Sequence, residues 1–213
     1  RGDVHFHSLL ASASGGAESQ ITDQGIAYKV HSFTSTGTSQ ITVDKAGFFE
    51  CLVVAGGGAG GGSNGAGGGG GGVVIQRVFV HTGTYDVVVG AGNTSGTRDP
   101  GHGGTDVYNP YPTGKRGGNS SVFGLLAIGG GNGGGDDYSG VDGGSGGGCG
   151  DDNDILPGRG VQNQEGSNGY GNRGGYTRIN NKGGSGGGGA GEVGFDVNPE
   201  YEYGETNTSW FLL

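Results

Sequence analysis

Five acidic side chains, Asp136, Asp137, Asp151, Asp152 and Asp154, lie close together in the sequence. Carboxylates are the hard oxygen ligands that calcium prefers. Gly147-Gly148-Cys149-Gly150-Asp151-Asp152 also fits the front of a calcium-binding nonapeptide repeat. That motif occurs once, and Asp154 stands where the repeat needs an apolar residue. A solvated acidic loop is the better reading, calcium the lesser one, and no cofactor is expected. His5 and His7 would share one face of a strand and could hold a metal, but ordinary strand-surface histidines explain them as well. No Ser–His–Asp or Cys–His grouping falls in a recognisable nucleophile turn.

The phosphate-binding motifs fare no better. GxGxxG strings occur inside glycine tracts by composition alone, with no strand–helix–strand context to seat a pyrophosphate. Gly114-Lys115-Arg116 lacks the Ser or Thr that follows a Walker lysine. Cys51 and Cys149 are the only cysteines. One disulfide would suit an exported protein, although spacing does not bring two Cβ atoms within bridging distance. A non-enzymatic protein is expected.

The elements that must carry these residues are unusual. Glycine makes up 59 of the 213 residues and apolar types only 30%, against roughly 45–50% in ordinary domains. A side-chain core must therefore be small. The chain centres on residues 48–80, where the apolar run Phe48 to Ala55 enters a glycine tract and a second run, Val73 to Val80, leaves it. Each run is apolar on both faces and of strand length, which predicts strands buried on both sides. The glycine between them suits neither a helix, at a cost of ~1 kcal/mol per residue, nor an ordinary strand, for want of side chains to pack. Ordering it costs more backbone entropy than ordering any other residue. Ordered tracts must be repaid by dense backbone contact, so extended polyproline-II-type segments packed as a layer are predicted for Gly56–Gly62, Gly65–Gly72, Gly129–Gly135 and Gly183–Gly191.

Around these tracts, Ile26 to Thr34 and Ser39 to Val43 predict a hairpin turning at Thr36-Gly37-Thr38. Tyr85 to Val89 and Ser121 to Ile128 predict two further central strands. Residues 93–118 form a long polar loop, the natural place for contacts. The expected organisation is an N-terminal arm, 1–24, followed by a glycine-rich β domain, 25–213. In the arm, Val4 to Leu10 alternates as a short strand, and Ala11 to Gln24 is small and polar like a linker. Such a tether of fourteen residues reaches about 46 Å when extended. The arm could dock on a neighbouring subunit through Val4, Phe6 and Leu10, as in donor-strand complementation, or add an edge strand to its own domain. The apolar terminus with Trp210, Phe211 and Leu213 also calls for burial in the domain or against a partner.

The net charge of −9 argues against nucleic acid and anionic membrane surfaces as partners. No apolar stretch approaches the ~18 residues that span a bilayer. The absence of methionine and the start at Arg1 favour a removed export signal, and hence an extracellular setting.

LVVAGGGAGGG, then GGGGVV, TGTYDVVVGAGN, GGNSSVFG, AIGGGNGGG and the closing GGSGGGGAG together resemble the glycine-rich domains of phage tail-fibre and secreted bacterial surface proteins. The resemblance covers roughly Val30 to Gly191 and rests on the ordered succession of motifs. It implies β-structure on an exported or virion protein and supplies no catalytic residues. The expected fold is an all-β sandwich, jelly-roll-like, with a packed polyglycine layer. The expected function is a self-assembling structural subunit of an extracellular or virion fibre, a homopolymer coupled by its N-terminal donor strand. The alternative is an adhesin or fibre-tip domain that recognises a cell-surface glycan or protein through residues 93–118.

Overall fold

A computed structural model of the chain describes residues 11–62, 65–93, 116–135, 138–151, 155–162, 168–178 and 183–197. Among them there is no helix, and the fold is all-β with antiparallel sheets, as expected. The strands are β1 (Ser12–Ser14), β2 (Ala17–Asp23), β3 (Ile26–Ser32), β4 (Gly37–Lys45), β5 (Gly47–Val54), β6 (Val73–Val80), β7 (Gly83–Val89), β8 (Ser120–Val122), β9 (Leu125–Ala127) and β10 (Gly169–Tyr170). They form a five-stranded sheet, β1-β4-β7-β8-β9, a three-stranded sheet, β10-β6-β5, and the two-stranded ribbon β2-β3. Only Ala46 separates β4 from β5, and only His81 and Thr82 separate β6 from β7. One long antiparallel pair therefore bends through both larger sheets, with β4 on β7 and β5 on β6.

The side-chain core is small, as the composition requires. Ala13, Ile41, Val43, Val80 and Val87 form one buried cluster, and Val53, Ala55, Val74 and Ala127 a second. Val122 packs against both.

Three local expectations are corrected. The segment read as a linker, Ala11 to Gln24, is folded: β1 pairs with β4, and β2 pairs with β3 over its whole length. Its small polar composition reflects the position of β2, exposed at every residue; residues 1–10 lie outside the described residues. The hairpin expected at Thr36-Gly37-Thr38 does not form, because β3 pairs back onto β2. Gln24 and Gly25, both at positive φ (47° and 82°), make the two-residue turn whose twist matches a hairpin. The buried run Ser121 to Ile128 is likewise a hairpin, β8–β9, turning at Phe123 (φ 51°) and Gly124 (φ 80°). A phenylalanine in that conformation is costly. It is held between the rings of Phe49 and Tyr85, at centroid distances of 5.5 and 5.2 Å.

The glycine tracts are extended, and their hydrogen bonds repeat every third residue. The N–H groups of Ala66, Gly69 and Gly72 donate to the carbonyls of Gly134, Gly131 and Ile128, each at 2.8 Å. One position along, Gly67 and Gly70 donate to Ser185 and Gly188 (2.9 Å). Gly130 and Gly133 donate to Gly56 and Ala59, and Gly131 and Gly134 to Ser145 and Gly148. Successive residues thus point their bonds to different neighbours, the signature of three-residue-per-turn chains packed side by side. At its closest approaches the layer leaves no room for a side chain. A Cβ on Gly69 would collide with the carbonyl of Ser145, and one on Gly131 with that of Val141.

A candidate assembly surface

The expectation that β5 and β6 are buried on both sides is wrong on one side. Along β5, Phe49, Cys51 and Val53 turn inward, while Phe48, Glu50, Leu52 and Val54 are exposed. Opposite them on β6, Ile75, Arg77 and Phe79 are exposed as well. The register stacks these residues in rows: Phe48 with Phe79, Glu50 with Arg77, Leu52 with Ile75, and Val54 with Val73. Leu52 is 66% exposed and Phe48 57%. Tyr170 of β10, paired with Val73, extends the face. Arg77 stacks its guanidinium over the Phe48 ring at 4.5 Å, and Phe48 meets Phe79 edge to face at 5.3 Å. An exposed sheet face of this kind, apolar on either side of the Glu50–Arg77 row, is a candidate interaction surface. The sequence carried one signal of it: a charged pair in strands buried on both sides would cost several kcal/mol per ion, so Glu50 and Arg77 require a wet face.

The edge of β5 is open too. Ile75 donates its N–H to Asn168, away from β5. Leu52, its partner, is therefore in a non-bonded pair, and by alternation Phe48, Glu50, Leu52 and Val54 turn their N–H and C=O groups outward. Among the described residues no strand pairs with that edge. Its two ends are closed. At one end, a Cβ placed on Gly47 would stand 2.8 Å from Cβ of Ala11; at the other, Gly56 donates its N–H to Gly118 (2.9 Å).

The base of the long loop is also fixed. Asn93 donates its backbone N–H to Gly57 (2.8 Å) and its Nδ2 to Asn132 Oδ1 (3.0 Å), and Arg116 bridges to Gly131. The loop's two described ends thus rise from the glycine layer; residues 94–115 lie outside the described residues.

The other residues singled out in the sequence fall as follows. Val4, Phe6, Leu10, Trp210, Phe211 and Leu213 lie outside the described residues, as do Asp136, Asp137, Asp152 and Asp154. Asp151 is buried, and the described residues contain no group of three or more His, Cys, Asp or Glu side chains able to hold a metal. The disulfide does not form: Cys51 and Cys149 are both free thiols. Cys51 sits on β5, where burial pushes its pKa up to about 11. Cys149 is fully buried in the glycine layer, where its Sγ accepts the N–H of Thr177 (3.1 Å) and its carbonyl the hydroxyl of Ser185 (3.1 Å). With its sulfur held there, Cys149 is an interior polar anchor of the layer.

Bent antiparallel sheets backed by laterally bonded three-residue-per-turn chains define a glycine-rich β protein. The family described as "Glycine-rich domain" matches residues 34–211, and the chain belongs to that family. Searches of curated proteins and of solved structures found no significant match.

Proposed function

We propose that the protein is a non-enzymatic structural subunit that assembles with copies of itself into an extracellular or virion fibre, coupled by its N-terminal strand. The observation that carries this reading is the open edge of β5 beside an uncovered apolar face. An unpaired edge is a template for strand addition, and strand addition gives affinity through main-chain bonds and specificity through side chains. The coupling no longer rests on a long tether, since residues 12–14 and 17–23 are strands β1 and β2. It rests on exchange: the segment Val4–Leu10 of one copy pairs with β5 of the next. Exchange of an identical element is a low-cost route to association, and a head-to-tail exchange that does not close on itself extends into a filament. The test is negative-stain microscopy and sedimentation of the purified chain beside a variant lacking residues 1–10. Long polymers that vanish on deletion support the reading; polymers that survive deletion remove the coupling, and discrete monomers or trimers of the intact chain remove the fibre.

A second reading, an adhesin or fibre-tip domain, is favoured by one observation. The loop of residues 94–115 springs from two points held by a rigid hydrogen-bonded layer, the arrangement by which scaffolds present binding loops. Glycan-array binding lost when those residues are replaced by a short glycine-serine linker would support it.

A further inference from the structure

We infer that in the free subunit the open edge of β5 is closed by the chain's own segment Val4–Leu10, paired antiparallel in a register that sets Leu10 against Phe48 and Val4 against Val54.

Three observations converge on this occupant. The first is place. β1 lies on β4 on the side away from β7, and the long strand β4–β5 has its other side filled by β7 and β6. Followed backward from Ser12, the chain reaches Ala11 against Gly47, so the preceding residues start at the open edge with no span to cross.

The second is length. The edge is open from Phe48 to Val54, seven residues bounded by Ala11 at one end and by the Gly118–Gly56 bond at the other. Val4 to Leu10 is also seven residues. At ~3.4 Å per residue, both span about 24 Å.

The third is polarity, row by row. Ala11 and Gly47 lie on the inner side, so continued alternation sends Leu10, Ser8, Phe6 and Val4 outward with Phe48, Glu50, Leu52 and Val54. Leu10 then joins the row of Phe48 and Phe79, Phe6 the row of Leu52 and Ile75, and Val4 the row of Val54 and Val73. Ser8 meets the one polar row, Glu50 with Arg77. Apolar falls on apolar and polar on polar in all four rows. The outward N–H and C=O groups of Phe48, Glu50, Leu52 and Val54 gain partners, because these become the hydrogen-bonded pairs. Inward, His7 falls opposite Cys51 in a non-bonded pair, whose Cα atoms approach to ~4.5 Å. A one-residue slip would reverse every side chain and put Ser8 beside Phe49.

The exposed face itself is too small to hold a second folded body. Strands β5 and β6, eight residues each and so about 27 Å long, lie ~4.8 Å apart with the two-residue β10 beside them, and together offer at most roughly 400 Å², half of the ~800 Å² per partner that a standard interface buries. A single added strand fits, and the chain's own has the advantage of proximity, since an attached segment binds at a high effective concentration.

Non-bonded antiparallel pairs lie within the Cα range a disulfide needs, so His7→Cys in the full-length chain is the direct test. Dilute monomeric protein is oxidised with copper–phenanthroline and the bridges are mapped by peptide mass. The expected result is a bridge from position 7 to Cys51 within one chain, at a yield unchanged by tenfold dilution, and none for Phe6→Cys. Absence of that bridge, a Phe6→Cys bridge in its place, or bridging only between chains overturns the inference. Hydrogen exchange on the unsubstituted chain is the second measurement. The amides of Phe48, Glu50, Leu52 and Val54 should exchange at least tenfold faster once residues 1–10 are deleted, and unchanged rates overturn the inference. A bridge within one chain does not depend on polymer formation, so this closure and the fibre reading fail separately.

Discussion

Asn93 and Asn132 are joined by a side-chain hydrogen bond, Nδ2 to Oδ1 at 3.0 Å, and the same Oδ1 accepts the backbone N–H of Ala59 at 2.9 Å. Asn132 is 3% exposed, so one buried oxygen ties the first glycine tract to the root of the long loop. Leaving a buried donor unsatisfied costs about 1–3 kcal/mol. Asn132→Ala should lower stability by roughly 2–3 kcal/mol in urea unfolding, with the first tract and the loop root losing protection first. An unchanged midpoint would show that water replaces the amide.

The glycine layer predicts a sharp positional contrast. Gly69→Ala meets the Ser145 backbone, whereas a methyl at Gly191 meets nothing within 4 Å. Because the neighbour is main chain and cannot rotate away, Gly69→Ala should cost more than ~3 kcal/mol, beyond the overpacking range of ordinary cores. Gly191→Ala should stay within about 0.5 kcal/mol, as surface substitutions do. Thermal melts of the two variants side by side check this, and equal melting points would refute the layer's close packing.

Adjacent positions on β5 should behave oppositely. Val53 is 6% exposed and Leu52 66%. Val53→Asp buries an unpaired charge, at several kcal/mol, and should abolish cooperative folding. Leu52→Lys should leave the melt nearly unchanged while suppressing self-association in sedimentation. A soluble, cooperatively melting Val53→Asp protein would remove β5 from the core.

The Cys51 thiol predicts a pH dependence. Its folded pKa, about 11, lies above the ordinary 9.0 because burial disfavours the thiolate. Between these values the unfolded chain releases the proton first, so the folded state binds more protons and stability falls as pH rises through that window. Cys51→Ala should flatten the decline above pH 9. Iodoacetamide labelling of Cys51 in the native protein should be slow at pH 8 and climb towards pH 11, with Cys149 unlabelled until unfolding. Equal labelling of both at pH 8 would contradict the burial.

The sequence by itself determined the class of the protein. Strands β5, β6 and β7 stand where continuous apolar runs stood, and the tracts pack as extended chains because glycine can be ordered only by close backbone contact. What the sequence did not determine was pairing and exposure. Runs apolar on both faces do not say which face is covered, and only the packed sheets show Leu52 outside and Val53 inside. Small polar residues read as linker became β1, laid on β4, and β2, paired with β3 through the two-residue turn at Gln24-Gly25, and hydropathy marks neither pairing. The threefold bonding from Ala66, Gly69 and Gly72 to Gly134, Gly131 and Ile128 joins tracts far apart in a sequence of near-identical glycines. Only tertiary structure decides such a register, because without side chains the chain's neighbours are set by where the surrounding strands deliver each tract.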